Sequence, residues 1–155
     1  MDVVVRELSP SWTAVVREPL DVSRILPLFD AVYGYLRGGQ TDVRQTGHNI
    51  ALYRSDGTME IGVEVDRAFE QVGDVQSSAL PGGRVASAVH TTGYGDLHVT
   101  YDAIGGFCAA NGLATTGDAW EIYGDPDEND HGDVEIVVLL ADSAPAGVGE
   151  KARLG

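Results

Sequence analysis

The sequence predicts an α+β fold made from a duplicated β-α-β-β unit, with pseudo-two-fold symmetry between the two copies. Short segments rich in β-branched residues follow one another in the same order in each half of the chain. Each half also carries one apolar stripe at helical spacing. Similar halves that cannot each bury their own apolar face pack against one another. We therefore expect antiparallel sheets, two main helices and a groove at the junction.

The first copy opens with two strand segments, 3–5 and 12–16, separated by a break around Pro10. A helix follows, in which Ile25, Leu28, Phe29, Val32, Tyr33 and Leu36 recur at helical spacing. Asp21 or Ser23 can cap this helix, and Pro27 is tolerable only in its first turn. Two strands, 48–53 and 58–65, come next and are joined at an Asp-Gly pair typical of a tight hairpin. A further strand is possible within 69–79.

The second copy repeats this order. It contains a strand at 83–90, a helix at 93–110 with the stripe Tyr101, Ile104 and Phe107, and strands at 119–123 and 133–140. These limits predict a single domain over residues 1–142, with halves of about 3–79 and 80–141. The segment 143–155 has no apolar period and is expected to be a flexible tail.

The composition limits the classes of function. The chain has 155 residues, with 10 Lys and Arg against 24 Asp and Glu, which gives a formal net charge of -14. Such a surface repels phosphate backbones and anionic membranes and attracts cations. We expect no direct nucleic-acid binding and no membrane insertion, and a cytoplasmic location by default. The single cysteine, Cys108, excludes an intrachain disulfide, and the four histidines show no ligand spacing, so we expect no metal and no cofactor.

One candidate site comes from the residues themselves. On the strand 119–123, alternation puts Glu121 and Tyr123 on one face and Trp120 and Ile122 on the other. If Glu121 points to the seam between the halves, it forms a carboxylate in an aromatic cleft that suits an aromatic cation. The pattern leaves open the other orientation, in which Glu121 faces water. Aligning Tyr53 on Tyr123 puts Ala51 at the position that Glu121 holds in the second copy.

The order of several short motifs resembles the GyrI-like small-molecule-binding domain, which includes effector-binding domains of the BmrR and Rob type. The resemblance rests on Leu80-Pro81-Gly82-Gly83, His90-Thr91-Thr92-Gly93-Tyr94, Trp120-Glu121-Ile122-Tyr123 and Val134-Glu135-Ile136-Val137-Val138. It covers about residues 3–140. It implies an aromatic groove between the halves with Glu121 as its acidic group, accompanied by Tyr94 and Tyr123. Trp12, Val16, Tyr53 and Trp120 are weaker candidates for its walls.

Three functions follow as expectations. The first is a stand-alone, multidrug-type protein that captures aromatic, cationic lipophilic compounds for resistance or sensing. The alternative is a hydrolase that opens cyclopropane rings in DNA-alkylating natural products, in which Glu121 would activate water and Tyr94 or Tyr123 would polarise the leaving oxygen. The third is a role in binding another protein, for which the sequence identifies no partner. The chain carries no helix-turn-helix signature, so direct transcriptional activation is not expected.

Overall fold

The structure is a computed structural model that describes residues 2–92, 95–125 and 132–141. Its elements follow the predicted order, and the possible strand within 69–79 is found at Gln76–Leu80. They are β1 (Val4–Leu8), β2 (Ser11–Pro19), a short 3-10 helix (Val22–Arg24), α1 (Ile25–Arg37), β3 (Gln45–Tyr53), β4 (Thr58–Val65), β5 (Gln76–Leu80), β6 (Gly83–His90), α2 (Leu97–Ala110), β7 (Thr115–Tyr123) and β8 (Val134–Leu140). The predicted α+β class is confirmed. None of the helices in the described ranges is long and apolar enough to cross a membrane.

The strands form one eight-stranded antiparallel sheet in the order β1-β6-β8-β7-β3-β4-β2-β5. The units β2-α1-β3-β4 and β6-α2-β7-β8 are the two predicted copies, and β3 and β7 join them at the centre. In that central pair Ala51 is the register partner of Glu121. Ala51 pairs with Ile61 on its other side, and Glu121 pairs with Ile136 in the same way. The pseudo-two-fold axis therefore passes between Ala51 and Glu121.

The two N-terminal strand segments pair with different copies of the repeat. β1 pairs with β6 of the second copy, whereas β2 pairs with β4 and β5. Each copy therefore receives its edge strand from the segment that precedes the other copy. The two connections pass close to one another, because a Cβ atom on Gly82 would lie 2.5 Å from Cδ of Pro10. Glycine is required at this position by the close approach.

Alternation along the strands sorts the apolar side chains onto the two faces of the sheet. One face carries two clusters, of which one packs under α1 and includes Val32, and the other packs under α2 and includes Ile104. The opposite face carries a third cluster around Trp120 and Leu52. The site lies where the two helix-side clusters meet, because Tyr123 packs against both of them.

Candidate functional site

The central strand β7 positions the carboxylate that the sequence singled out. Its alternation places Glu121 on the helix side, whereas the neighbouring Trp120 is 1% exposed in the cluster on the opposite face. Glu121 is itself only 5% exposed. The open question of orientation is therefore answered by its burial, since Glu121 lies between the helices and not in water.

Three tyrosine hydroxyl groups donate hydrogen bonds to this carboxylate. Tyr101 donates to Oε2 at 2.6 Å, and Tyr53 donates to Oε1 at 3.4 Å. Tyr123, two residues along the same strand, also donates to Oε1. An ionised carboxylate has enough lone pairs to accept all three bonds. Within the described ranges no Lys, Arg or His side chain forms an ion pair with Glu121.

The same arrangement keeps the phenol groups protonated. Burial, followed by the negative charge of Glu121, raises the pKa of Tyr53 to about 12. The same two causes, in the same order, raise the pKa of Tyr101 and of Tyr123 further. A tyrosinate beside a buried carboxylate would add like charge in a medium of low dielectric, so each phenol remains a donor at neutral pH.

An apolar cavity of about 550 Å³ opens over this carboxylate. Its lining residues are Val22, Ile25, Leu26, Phe29, Asn49, Tyr53, Leu97, Glu121 and Tyr123. Phe29 of α1 meets Tyr123 edge to face, with ring centroids 6.2 Å apart and planes at 83°. Val22 and Leu26 are 72% and 76% exposed at the rim, so the cavity is accessible from solvent. Its volume and its apolar walls with few polar groups suit a drug-sized ligand.

A buried histidine holds the start of α2 beside the cavity. His90 is 3% exposed, and its ring nitrogens lie 2.8 Å from Oγ1 of Thr100 and 2.8 Å from the carbonyl oxygen of Gly95. A carbonyl only accepts, so Nε2 donates to Gly95, and Nδ1 shares a hydrogen bond with the hydroxyl of Thr100. The helix needs this support, because its N-cap residue Asp96 makes no capping bond and has a φ of 57°. Thr100 directly precedes Tyr101, so His90 helps to place that hydroxyl over Glu121.

The structure brings together only some of the predicted site residues. Glu121, Tyr123 and Tyr53 line the cavity. Tyr94 lies outside the described residues. Trp12, Val16 and Trp120 are not among the residues that line this cavity.

These three side chains lie outside the cavity lining for different physical reasons. Val16 is 4% exposed and packs in the cluster under α1, below the cavity. Trp12 is 50% exposed on β2, beside the edge strand β5. Trp120 occupies the opposite face, as strand alternation requires.

The sequence interpretation did not assign two polar contributors to the site, Tyr101 and Asn49. Tyr101 was placed in the core stripe of α2, which is correct for its ring. A buried tyrosine hydroxyl needs a partner, however, and that requirement was the available signal for its role. Asn49 lies on β3 opposite Tyr123. Nothing in the local sequence distinguishes it from an ordinary strand residue.

Comparison with known proteins agrees with this geometry. The sequence profile of the GyrI-like small molecule binding domain matches residues 55–141, which is more than half of the chain. The protein therefore belongs to the family of GyrI-like small-molecule-binding domains. No curated protein sequence matches the chain significantly.

Several solved structures share the fold at low sequence identity. The C-terminal domain of EcmrR superposes with a TM-score of 0.79 at 16% identity, covering 90% of this chain and 97% of that domain. In the EcmrR–DNA complex, this chain covers only 57% of the longer EcmrR chain. SAV2435 bound to tetraphenylphosphonium gives a TM-score of 0.64 at 14% identity, with 91% and 94% of the chains covered. A hydrolase from Listeria innocua gives 0.61 at 11% identity, with 90% and 91% covered.

Proposed function

We propose that this domain captures aromatic, cationic, lipophilic compounds in the cavity over Glu121, and so buffers or senses them. The observation that carries the proposal is a buried carboxylate held by three hydroxyl groups and, among the described residues, by no cation. Burying an unpaired charge costs several kcal/mol, of which hydrogen bonds offset only part. A bound cation would offset the rest.

The walls of the cavity fit such a ligand. Phe29, Tyr53 and Tyr123 supply aromatic rings on which a delocalised cation gains about 0.5–2 kcal/mol per favourable contact. The exposed side chains of Val22 and Leu26 would cover its lipophilic part. The net charge of -14 would raise the local concentration of cations around the domain. The SAV2435 complex with tetraphenylphosphonium supports the proposal by analogy of fold.

The test is a calorimetric titration of tetraphenylphosphonium into the wild type and Glu121→Gln. Glutamine keeps the shape and one acceptor oxygen but removes the charge, so we expect affinity to fall about tenfold or more. Glu70→Gln is the matched control, since Glu70 is exposed and outside the cavity yet its substitution changes the net charge equally. Equal affinities for the wild type and Glu121→Gln would contradict the proposed role of the charge.

The hydrolase alternative would use the same Glu121 and Tyr123, and the fold is shared with a protein described as a hydrolase. No contact in the described residues favours it over binding, so it stays a prediction. Chromatographic analysis of a cyclopropane-containing alkylating compound incubated with the protein separates the two, because a binding protein returns the compound unchanged.

A further inference from the structure

A second polar group lines the cavity on the neighbouring strand. Asn49 of β3 is half-buried, and its register partner on β7 is Tyr123. The Oδ1 atom of Asn49 accepts a hydrogen bond from the hydroxyl of Tyr33 on α1. Among the residues that the structure describes, no group accepts from the Nδ2 atom of Asn49.

A directional chain of hydrogen bonds fixes which end of this amide is free. The amide nitrogen of Gln45 donates to the carbonyl of Gly47 at 2.7 Å and to the hydroxyl oxygen of Tyr33 at 3.5 Å. The hydroxyl of Tyr33 in turn donates its single proton to Oδ1 of Asn49. The guanidinium of Arg37 lies 4.5 Å from the centroid of the Tyr33 ring and holds the ring in place. The oxygen of Asn49 is thus occupied, and its NH₂ group is left as a donor.

The donor and the carboxylate belong to one cavity. Asn49 is the diagonal cross-strand neighbour of Glu121, because Ala51 is the direct partner of Glu121 and lies two residues further along β3. Diagonal neighbours in an antiparallel sheet have Cβ atoms about 7–8 Å apart. This spacing lies within the span of one aromatic cation.

We propose that Asn49 makes the site select cations that also carry a hydrogen-bond acceptor, which its NH₂ group would bind while Glu121 offsets the positive charge. The inference rests on the proposed function. It narrows the ligand class from any lipophilic cation to cations with a carbonyl or ether oxygen a few ångströms from the charged centre. A net hydrogen bond of this kind corresponds to about a three- to tenfold gain in affinity.

The test uses two matched probes, 3-acetyl-1-benzylpyridinium and 3-isopropenyl-1-benzylpyridinium. They have the same charge and similar shape, and differ in whether a carbonyl oxygen or a CH₂ group is presented. We expect the wild type to bind the acetyl compound about three to ten times more tightly, and Asn49→Leu to bind the two compounds equally. Glu121→Gln should weaken both and keep the preference, because it leaves the amide in place.

Tyr33→Phe is the second variant, and it keeps the inference testable if Asn49→Leu does not fold. It removes the group that orients the amide, so the preference for the acetyl compound should shrink. If the wild type binds both probes equally, the inference about Asn49 is overturned, while the proposed function still stands. A preference that persists in Asn49→Leu, or that is undiminished in Tyr33→Phe, overturns it as well. If the wild type binds neither probe, the proposed function fails together with the inference.

Discussion

Among the described residues each copy of the repeat buries one glutamate, and the two are held in different ways. Glu60 on β4 of the first copy is 2% exposed and lies 2.5 Å from Nε of Arg54. It also accepts from the hydroxyl of Ser78 at 2.5 Å. Glu121 in the second copy is 5% exposed and accepts only from tyrosine hydroxyls among the described residues. The first carboxylate has its counter-ion within the protein, whereas the part of the chain that the structure describes supplies none to the second.

The two carboxylates also lie on opposite faces of the sheet. Met59 and Ile61, on either side of Glu60, pack under α1, so Glu60 points away from the helices. Glu121 points between the helices into the cavity. A paired buried charge contributes mainly to specifying the fold, and its field is cancelled nearby. No cation among the described residues cancels the field of Glu121, and this difference between the copies is what supports the proposed ligand-binding role of Glu121.

The largest expected effect comes from removing the internal counter-ion. Arg54→Met leaves Glu60 buried without a cation and should lower the free energy of unfolding by about 3 kcal/mol, measured by urea denaturation. The side chain of Arg54 is 27% exposed, so the expected loss of stability is at the lower end of the range for breaking a buried ion pair. Affinity for tetraphenylphosphonium should not change, because Glu121 is untouched.

The double variant Arg54→Met with Glu60→Gln is the control for this prediction. It removes both charges and should recover most of the lost stability, since the penalty of an uncompensated buried charge no longer applies. A double variant as unstable as Arg54→Met would show that Arg54 acts through packing and not through the charge of Glu60.

A smaller effect is expected from removing one donor to the ligand-binding carboxylate. Tyr101→Phe keeps the ring and deletes the 2.6 Å bond to Glu121, which should cost about 1.5 kcal/mol of unfolding free energy. Tyr35→Phe is the matched control, because Tyr35 bonds the neutral hydroxyl of Thr41 and should lose about half as much. Losses of equal size in the two variants would mean that the charge of Glu121 contributes nothing to the bond.

A further effect should appear only at high pH. Burial and the negative charge of Glu121 raise the pKa of Tyr53 to about 12, so the folded state holds this proton more tightly than the unfolded state. The associated stability is complete below pH 10 and is lost as the pH rises towards 12. Tyr53→Phe should therefore show a shallower decline of unfolding free energy over this interval in denaturant titrations. A decline as steep as that of the wild type would place the titrating group elsewhere.

The sequence predicted the parts of the site that depend on local alternation. The shared face of Glu121 and Tyr123 follows from the period of a strand. The alignment of the repeats makes Ala51 the counterpart of Glu121, and the register of the central strands also pairs these two residues. Alternation could not reveal Glu60, because Met59-Glu60-Ile61 also fits a strand with one face in water. Its carboxylate accepts a hydrogen bond from Ser78 of β5, a contact that the local sequence does not encode.

The exchange of edge strands could not be predicted from local sequence either. The local sequences of β1 and β5 fit an edge strand of either copy equally well. Only the long-range pairing of β1 with β6 and of β5 with β2 shows which copy each strand joins. For the same reason Tyr101 was assigned to the core. Its hydroxyl partner lies on β7, and the helical stripe carries no information about that contact.

Glu121 lies beside the pseudo-two-fold axis, where a truly symmetric assembly could not place a single carboxylate. A symmetric homodimer of single repeats would place identical residues at the central register pair, so one glutamate there would face another across about 5 Å. Two buried carboxylates at that spacing repel one another and could not both ionise. Joining two copies in one polypeptide removes the constraint, because one copy can keep Ala51 while the other carries the charge. Covalent fusion is thus what permits a single negative charge at the centre of an otherwise symmetric sheet.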